Sequence, residues 1–508
     1  METLKHFTAG FLDAFTFLFA LAVLCLIVAV CWMYIVDVRQ TTHSIRRNYP
    51  VLGRFRYFFE FIGGFFRQYF FSQDREELPF NRAQRSWVYR AAKNLDSTVA
   101  FGSTLPLNQP GDVIFLNALI PPLDEEIPAR TAIVFGEGHA RTPYSTLSFF
   151  NISAMSFGAI SEPAVRALSR GAARAGIWLN TGEGGISPFH YDGGCDIVFQ
   201  IGTAKYGVRD AEGRLSDDRL REIASHEQGR MFEIKLSQGA KPGKGGILPG
   251  AKVTQLIATT RGIPEGQDSI SPNRHPEVRT IDDLLGMIRH VREVTGKPTG
   301  IKFALGESSW LDEFCQRINE LGLDYAPDFV TIDSADGGTG AAPQSLIDLM
   351  GLPLRSSLPL VVDKLLEYGL RGRIRVICSG KMINPSGVAA ALCMGADCVN
   401  SARGFMFALG CIQALQCNKN TCPTGVTTHD PDLQRGLDPT DKAVRVASYA
   451  TNLMHEVEII AHSCGVPEPR LLDRRHARVI NPQGLPVPLS EVYISPQASN
   501  GSNTRAIH

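Results

Sequence analysis

The chain has 508 residues, 44% hydrophobic and 20% charged, ordinary for a globular protein with a sizeable core. Lys plus Arg balances Asp plus Glu at 51 each, and no nucleic-acid motif is present, so nothing in the composition calls for a nucleic-acid partner. Eleven cysteines in a chain this long are not a secreted disulfide framework, and their clustering points to a reducing compartment and a metal site.

From Ala14 to Val36 runs an uncharged apolar stretch of about 23 residues, long enough to cross a hydrocarbon core as a helix. A signal peptide has a shorter apolar core, and the remaining alternative is a buried helix of a soluble protein. Glu2, Lys5 and Asp13 precede the stretch; Arg39, Arg46, Arg47, Arg54 and Arg56 follow it. The positive-inside rule therefore predicts a single-pass protein of the inner (cytoplasmic) membrane with its long C-terminal part in the cytoplasm. Phe55–Phe71 is dense in aromatics with Arg54, Arg56 and Arg67 interleaved. This predicts a helix at the membrane surface, in a subunit contact of a homo-oligomer, or packed on the next domain, bent at Gly63-Gly64. The expected divisions are an anchor (1–36), a membrane-proximal region (37–128), a barrel domain (129–469) and an extended tail (470–508).

From Phe149 onward short β-like runs alternate with helical patterns, which predicts βαβ units and a parallel sheet. Strands are expected near Phe150–Ala154, Ile177–Asn180, Phe232–Leu236, Gly300–Ala304, Phe329–Asp333, Ile374–Cys378 and Cys398–Ser401, with helices at Ile281–Thr295, Trp310–Leu321 and Pro385–Met394. The chemistry of a barrel sits at the C-terminal strand ends, where the motifs fall. After the first strand, Ser156 and Gly158 let the backbone approach a flat ligand, or Ser156 caps a helix. After the second, Asn180-Thr181-Gly182-Glu183-Gly184-Gly185 places one carboxylate in a loop of special backbone angles. Lys235 ends an apolar strand and can meet an oxyanion in the barrel mouth, with Gln238 and Lys241 on the loop beyond it. Lys302 ends another strand. Asp333 to Pro343, including Gly337 and Gly338, is a glycine-rich loop of the kind that binds phosphate through its N–H groups. Ser379-Gly380-Lys381 and Ala402-Arg403-Gly404 end the last two strands, where barrels place phosphate. No G-x-G-x-x-G follows a strand, which argues against a dinucleotide-binding domain.

Cys411, Cys417 and Cys422 are spaced C-x5-C-x4-C and followed at once by Pro423. Soft thiolates at this density suit an iron–sulfur cluster or zinc, with a ligand borrowed if four are needed; three half-buried thiols are the plain alternative. Lys442 to about Gly465 reads as a closing helix.

The cysteine spacing with Cys-Pro-x-Gly-Val, taken together with the strand-end motifs in this order, resembles the synthase domain of glutamate synthases from about Asn151 to about Gly465. The resemblance implies a (β/α)8 TIM barrel carrying FMN and a three-iron, four-sulfur cluster at Cys411, Cys417 and Cys422. Ala154, Met155 and Ser156 would lie against the flavin ring, with Asn180 and Thr181 lining the same site and Lys302 beside its pyrimidine. Asp333, Gly337, Gly338, Gly380, Lys381, Arg403 and Gly404 would complete the FMN site. Lys235, Gln238 and Lys241 would take 2-oxoglutarate, and Glu183 the ammonia nitrogen or a proton. The implied reaction is reductive amination of 2-oxoglutarate to L-glutamate through 2-iminoglutarate, an oxidoreductase acting on a CH–NH2 group. This sequence departs from the family at Lys244, where a Glu is usual, at Asn273-Arg274-His275, and at Ser379, where an acid is usual. It begins Met1-Glu2 and lacks the N-terminal cysteine that hydrolyses glutamine, so it resembles the synthase half alone. Ammonia would come from solution or a separate glutaminase subunit, and electrons from a donor protein through the cluster. A membrane-anchored electron-transfer module, or a flavin barrel acting on another oxo acid or amine, are the alternatives.

Overall fold

The computed structural model describes residues 2–96 and 98–493, with side chains from residue 10 onward. The chain divides into two compact units, Met1–Ala83 and Gln84–His508.

In the first unit, α1 (Glu2–Arg39) is one unbroken helix, and its Gly10–Arg39 portion is long and apolar enough to cross a membrane. The helix exceeds the expected Ala14–Val36 because no proline interrupts its polar flanks. Two further helices follow, α2 (Ser44–Asn48) and α3 (Leu52–Phe66), the latter continuing as a π-helical turn, Arg67–Phe71. Gly63-Gly64 does not break α3: the N–H of Arg67 bonds the carbonyls of both glycines, and the helix widens after Phe66 instead.

In the second unit a closed barrel holds eight strands: β1 (Phe150–Ile152), β2 (Leu179–Asn180), β3 (Ile197–Ile201), β4 (Gly229–Lys235), β5 (Thr299–Phe303), β6 (Phe329–Asp333), β7 (Arg375–Ser379) and β8 (Cys398–Ser401). Neighbours pair in parallel around the ring, β8 returning to β1. Most of these strands are buried on both faces, as helices outside and side chains inside require, so they read as apolar runs without alternation. Seven strands agree with the expectation to within a few residues. The eighth, β3, was not expected: it follows only a four-residue helix, Pro188–Tyr191, so no long helical pattern announces it.

Around the barrel, α4 (Glu162–Ala175) is capped by Ser161 and ended by Gly176 in the left-handed region at φ 65°. Then come α5 (Gln255–Arg261), α6 (Ile281–Thr295), α7 (Trp310–Leu321), α8 (Pro385–Cys393) and the closing α9 (Pro439–Ser463). Helices α4 and α9 approach so closely that a Cβ on Gly171 would lie 2.4 Å from Val446. The hairpin Ile133–Phe135/Tyr144–Thr146 plugs the N-terminal end of the barrel, with Phe135 edge-on to Trp178 and Phe329. That leaves the C-terminal strand ends for chemistry.

The tail is more ordered than expected. Ala477–Ile480 pairs antiparallel with Val113–Phe115 and with Pro486–Pro488, so residues 470–493 fold with the barrel unit; residues 494–508 lie outside the described part.

Candidate active site

The C-terminal ends of the strands open into two adjoining clefts, which share Ala154, Ser156, Glu183, Gln238, Gly338, Ala402 and Arg403. The walls carry Lys235, Lys241, Lys252, Arg261, Lys302, Lys381 and Arg403 against Glu183 and Asp333. Such a surplus of cations favours an anionic ligand.

At the centre, Lys235 Nζ lies 3.0 Å from Glu183 Oε1 and donates to Gln238 Oε1 at 2.5 Å. Lys235 is 7% exposed and ends β4, so the strand aims its ammonium into the mouth. The residue expected to take the oxo acid and the one expected to take the nitrogen or a proton are thus ion-paired here. Glu183 fits because glycines surround it: a Cβ on Gly202 would lie 2.6 Å from Glu183 Cβ, and one on Gly246 2.4 Å from Oε1. Burial raises the Glu183 carboxyl, but the charges of Lys235 and Lys241 outweigh it and hold the group below its usual range. Burial and then repulsion from Lys235 push Lys241 down to about 8. Gln238 also donates to Thr339 Oγ1 at 3.1 Å, which fixes its amide.

Across the cleft, Asp333 accepts from Ser379 Oγ at 2.5 Å and from the N–H of Gly239 at 2.9 Å, with Lys302 Nζ at 3.6 Å. Ser379 is therefore a buried support of Asp333. Lys244, the other prominent departure from the family, is exposed and lines neither cleft. Gly380 (φ 113°) and Lys381 (φ 54°) curl the β7 loop, and Gly380 sits where a Cβ would meet that of Ser334 at 2.4 Å.

Most of the expected residues line the clefts: Ala154, Met155, Ser156, Glu183, Lys235, Gln238, Lys241, Lys302, Asp333, Gly338, Gly380, Lys381 and Arg403. Four do not. Asn180 points into the barrel interior and donates to Glu233 Oε2 at 2.9 Å; Thr181 bonds the carbonyl of Gly182. Gly337 lies against the carbonyl of Ser334, which a Cβ there would meet at 2.8 Å. Gly404 is buried because a Cβ there would strike the hydroxyl of Tyr449 at 2.0 Å, so helix packing, not phosphate, demands its glycine.

The sequence reading missed Gln200, Arg261 and Lys252. Gln200 lies on the unexpected β3, lines the cleft and donates to Glu233 Oε2 at 2.6 Å; Thr331 bonds the other oxygen at 2.6 Å. Arg261, 5% exposed at the end of α5, bonds the carbonyl of Phe157 at 3.1 Å and acts electrostatically on Glu183. Lys252, 2% exposed, bonds the carbonyls of Ala159 at 2.9 Å and Cys417 at 3.3 Å. The glycines beside Glu183 were a usable signal; a lone cation on a short helix was not.

The donor set fits FMN. Cations from the β7 and β8 loops flank Gly380: Lys381, paired with Asp336 at 2.8 Å, and Arg403, which donates to the carbonyl of Thr339 at 2.6 Å. Gly182 packs tightly on Ser156, where a Cβ would lie 2.6 Å from its nitrogen, so the first two loops are in direct contact. Cys411, Cys417 and Cys422 line a separate small pocket with Met406 and Thr427. Cys411 Sγ accepts the N–H of Gln413 at 3.5 Å, and Cys422 Sγ lies 3.4 Å from Thr424 Oγ1. Burial pushes the Cys411 thiol up to about 11; burial also raises Cys422, but hydrogen bonds from Thr424 and Thr427 bring it below its usual value. Among the described residues no three His, Cys, Asp or Glu side chains converge on a single-ion site. Three thiols on one segment, with hydrogen-bond donors at two of the sulfurs, are a donor set of the kind iron–sulfur clusters use.

Residues 123–467 match the conserved region in glutamate synthase. The chain belongs to the glutamate synthase family. It is 39% identical over 488 residues to the glutamate synthase large subunit-like protein YerD of Bacillus subtilis (strain 168), covering 89% of this chain and 92% of that one. A glutamate synthase large subunit-like protein of Rhizobium meliloti (strain 1021) is 31% identical over 375 residues, 70% of this chain and 80% of the relative. An archaeal-type glutamate synthase (NADPH) of Thermotoga neapolitana is 35% identical over 316 residues, 62% of this chain; the match spans 59% of that relative's length.

Proposed function

We propose that this chain is an FMN-dependent oxidoreductase that forms L-glutamate from 2-oxoglutarate and ammonia, anchored by α1 with its barrel in the cytoplasm. The observation that carries the reading is the convergence of Lys235, Gln238, Lys241 and Arg261 around the single carboxylate of Glu183. The names of the relatives support it, and none of the departures, Lys244, Asn273-Arg274-His275 and Ser379, lines either cleft.

Ammonia adds to the ketone of 2-oxoglutarate and water leaves, giving 2-iminoglutarate; a hydride at C2 and a proton at nitrogen complete L-glutamate. FMN, when bound, supplies the hydride, and a three-iron cluster at Cys411, Cys417 and Cys422, when bound, carries single electrons from a donor protein. Lys241 and Arg261 hold the carboxylates of the oxo acid. Lys235 exchanges Glu183 for the ketone oxygen and stabilises the negative charge that develops there as nitrogen attacks. Glu183, ionised because cations surround it, is thereby freed to take at Oε1 the proton that ammonia's nitrogen sheds once its bond to C2 has made it cationic and acidic. Gln238 and Gln200 position the substrate and the floor of the site. Ammonia arrives free or from a separate glutaminase subunit.

Stopped-flow reoxidation of the photoreduced holoenzyme tests this. We expect 2-oxoglutarate to reoxidise the flavin rapidly only with ammonium present. Reoxidation that ignores both compounds would leave the electron-transfer reading in its place.

A further inference from the structure

The corner between α1 and α3 is built with more care than a linker needs. Asp37, in the last turn of α1, is fully buried. Its carboxylate accepts from Arg46 on α2 at 3.0 and 2.8 Å, from Arg54 on α3 at 2.8 and 2.9 Å, and from the N–H of Val51 at 3.0 Å. Val51 sits at φ 66°, a conformation costly for a β-branched residue, and the bond from Asp37 holds it there. Gly53 lets α3 touch α2, since a Cβ would lie 2.9 Å from the Arg46 backbone. The first turn of α3 is thus pinned at the end of α1.

Along α3, Phe55, Phe58, Phe59, Ile62, Phe65 and Phe66 recur at helical spacing and share one face, with Arg56 and Glu60 on the other. The five phenylalanines of that face are 38–60% exposed. Beyond Asp37 with its two arginines, the segment to Phe71 carries Arg39, Arg47, Arg56 and Arg67 against Glu60 alone. A second copy of this chain would set those arginines against their own kind, whereas anionic headgroups complement them.

We propose that α3 is an in-plane membrane helix, held by the Asp37 corner at the depth where α1 leaves the bilayer, its phenylalanine face seated between the headgroups and acyl chains of an anionic leaflet. This rests on the reading of α1 as a membrane span, and it assigns the aromatic segment a lipid surface rather than a protein partner.

The test uses the full chain in vesicles of phosphatidylcholine and phosphatidylglycerol. A photoreactive benzoylphenylalanine is placed singly at Leu24 in α1, at Phe58 or Phe66 on the apolar face, and at Arg56 on the opposite face. On irradiation, Leu24, Phe58 and Phe66 should give phospholipid adducts by mass spectrometry at several times the yield of Arg56. Adducts at Leu24 with protein cross-links, or nothing, at Phe58 and Phe66 overturn this proposal alone. Absence of lipid adducts at Leu24 overturns the span, and the in-plane helix with it. Exchange of one aromatic residue for another at 58 and 66 keeps the fold out of question.

Discussion

Lys235→Ala removes the group on which the substrate geometry depends. Its ammonium bonds Gln238 at 2.5 Å and lies 3.0 Å from Glu183, both on the cleft wall. A buried charge-assisted hydrogen bond contributes about 1.5–3 kcal/mol, and about 1.4 kcal/mol is a factor of ten, so 2-oxoglutarate binding should weaken by about 10- to 150-fold. FMN should stay bound, because its phosphate is assigned to the Gly380 and Arg403 loops. The variant carries a second signature through Lys241, whose ammonium is pushed down to about 8 by burial and by Lys235. Carboxylate binding needs Lys241 protonated, so affinity in the parent should hold below about pH 8 and fall above it. Without Lys235 one cause of the depression is gone, and the falling limb should move to higher pH. Perturbation of the flavin spectrum by 2-oxoglutarate, titrated across pH 6–10 in both proteins, reads both effects. Equal dissociation constants and superimposable pH limbs would refute the role given to Lys235.

Gly202→Ala puts a methyl 2.6 Å from Glu183 Cβ and displaces the carboxylate. Turnover should fall by about 100-fold with FMN content intact, since misplacement by about 1 Å costs that much; an unchanged rate would show that Glu183 need not sit there. Gly404→Ala meets the Tyr449 hydroxyl at 2.0 Å and should lower stability to urea by about 1–3 kcal/mol without changing FMN affinity in the folded protein, whereas a selective loss of FMN would return Gly404 to the phosphate site. Cys417→Ser should abolish or reshape the iron–sulfur signal in EPR together with iron and sulfide content; a full parental signal removes Cys417 from the ligand set.

The barrel was legible because buried parallel strands read as apolar runs, and the strand-end motifs fall where barrels do their chemistry. What failed was long-range. Strand β3 hides behind two glycines and a four-residue helix, and Gln200 went with it. The Lys235–Glu183 pair joins a strand end to a loop far away in the chain, which no local spacing reveals. Gly404 looks like a phosphate glycine until Tyr449, on the closing helix, is seen above it. Lys252 and Arg261 resemble ordinary cations in the sequence, and only burial marks them as part of the site. The end of the chain looked extended because the partner of Ala477–Ile480 lies at Val113–Phe115, before the barrel begins.

The central claim is that the cleft joins ammonia to 2-oxoglutarate. The direct measurement is product analysis of the chemically reduced holoenzyme with 15N-ammonium and 2-oxoglutarate. The account predicts L-glutamate carrying 15N in its amino group, formed in proportion to flavin reoxidised and strongly reduced in Lys235→Ala. Flavin reoxidation with no labelled glutamate, or labelled glutamate at an equal rate from Lys235→Ala, would contradict it.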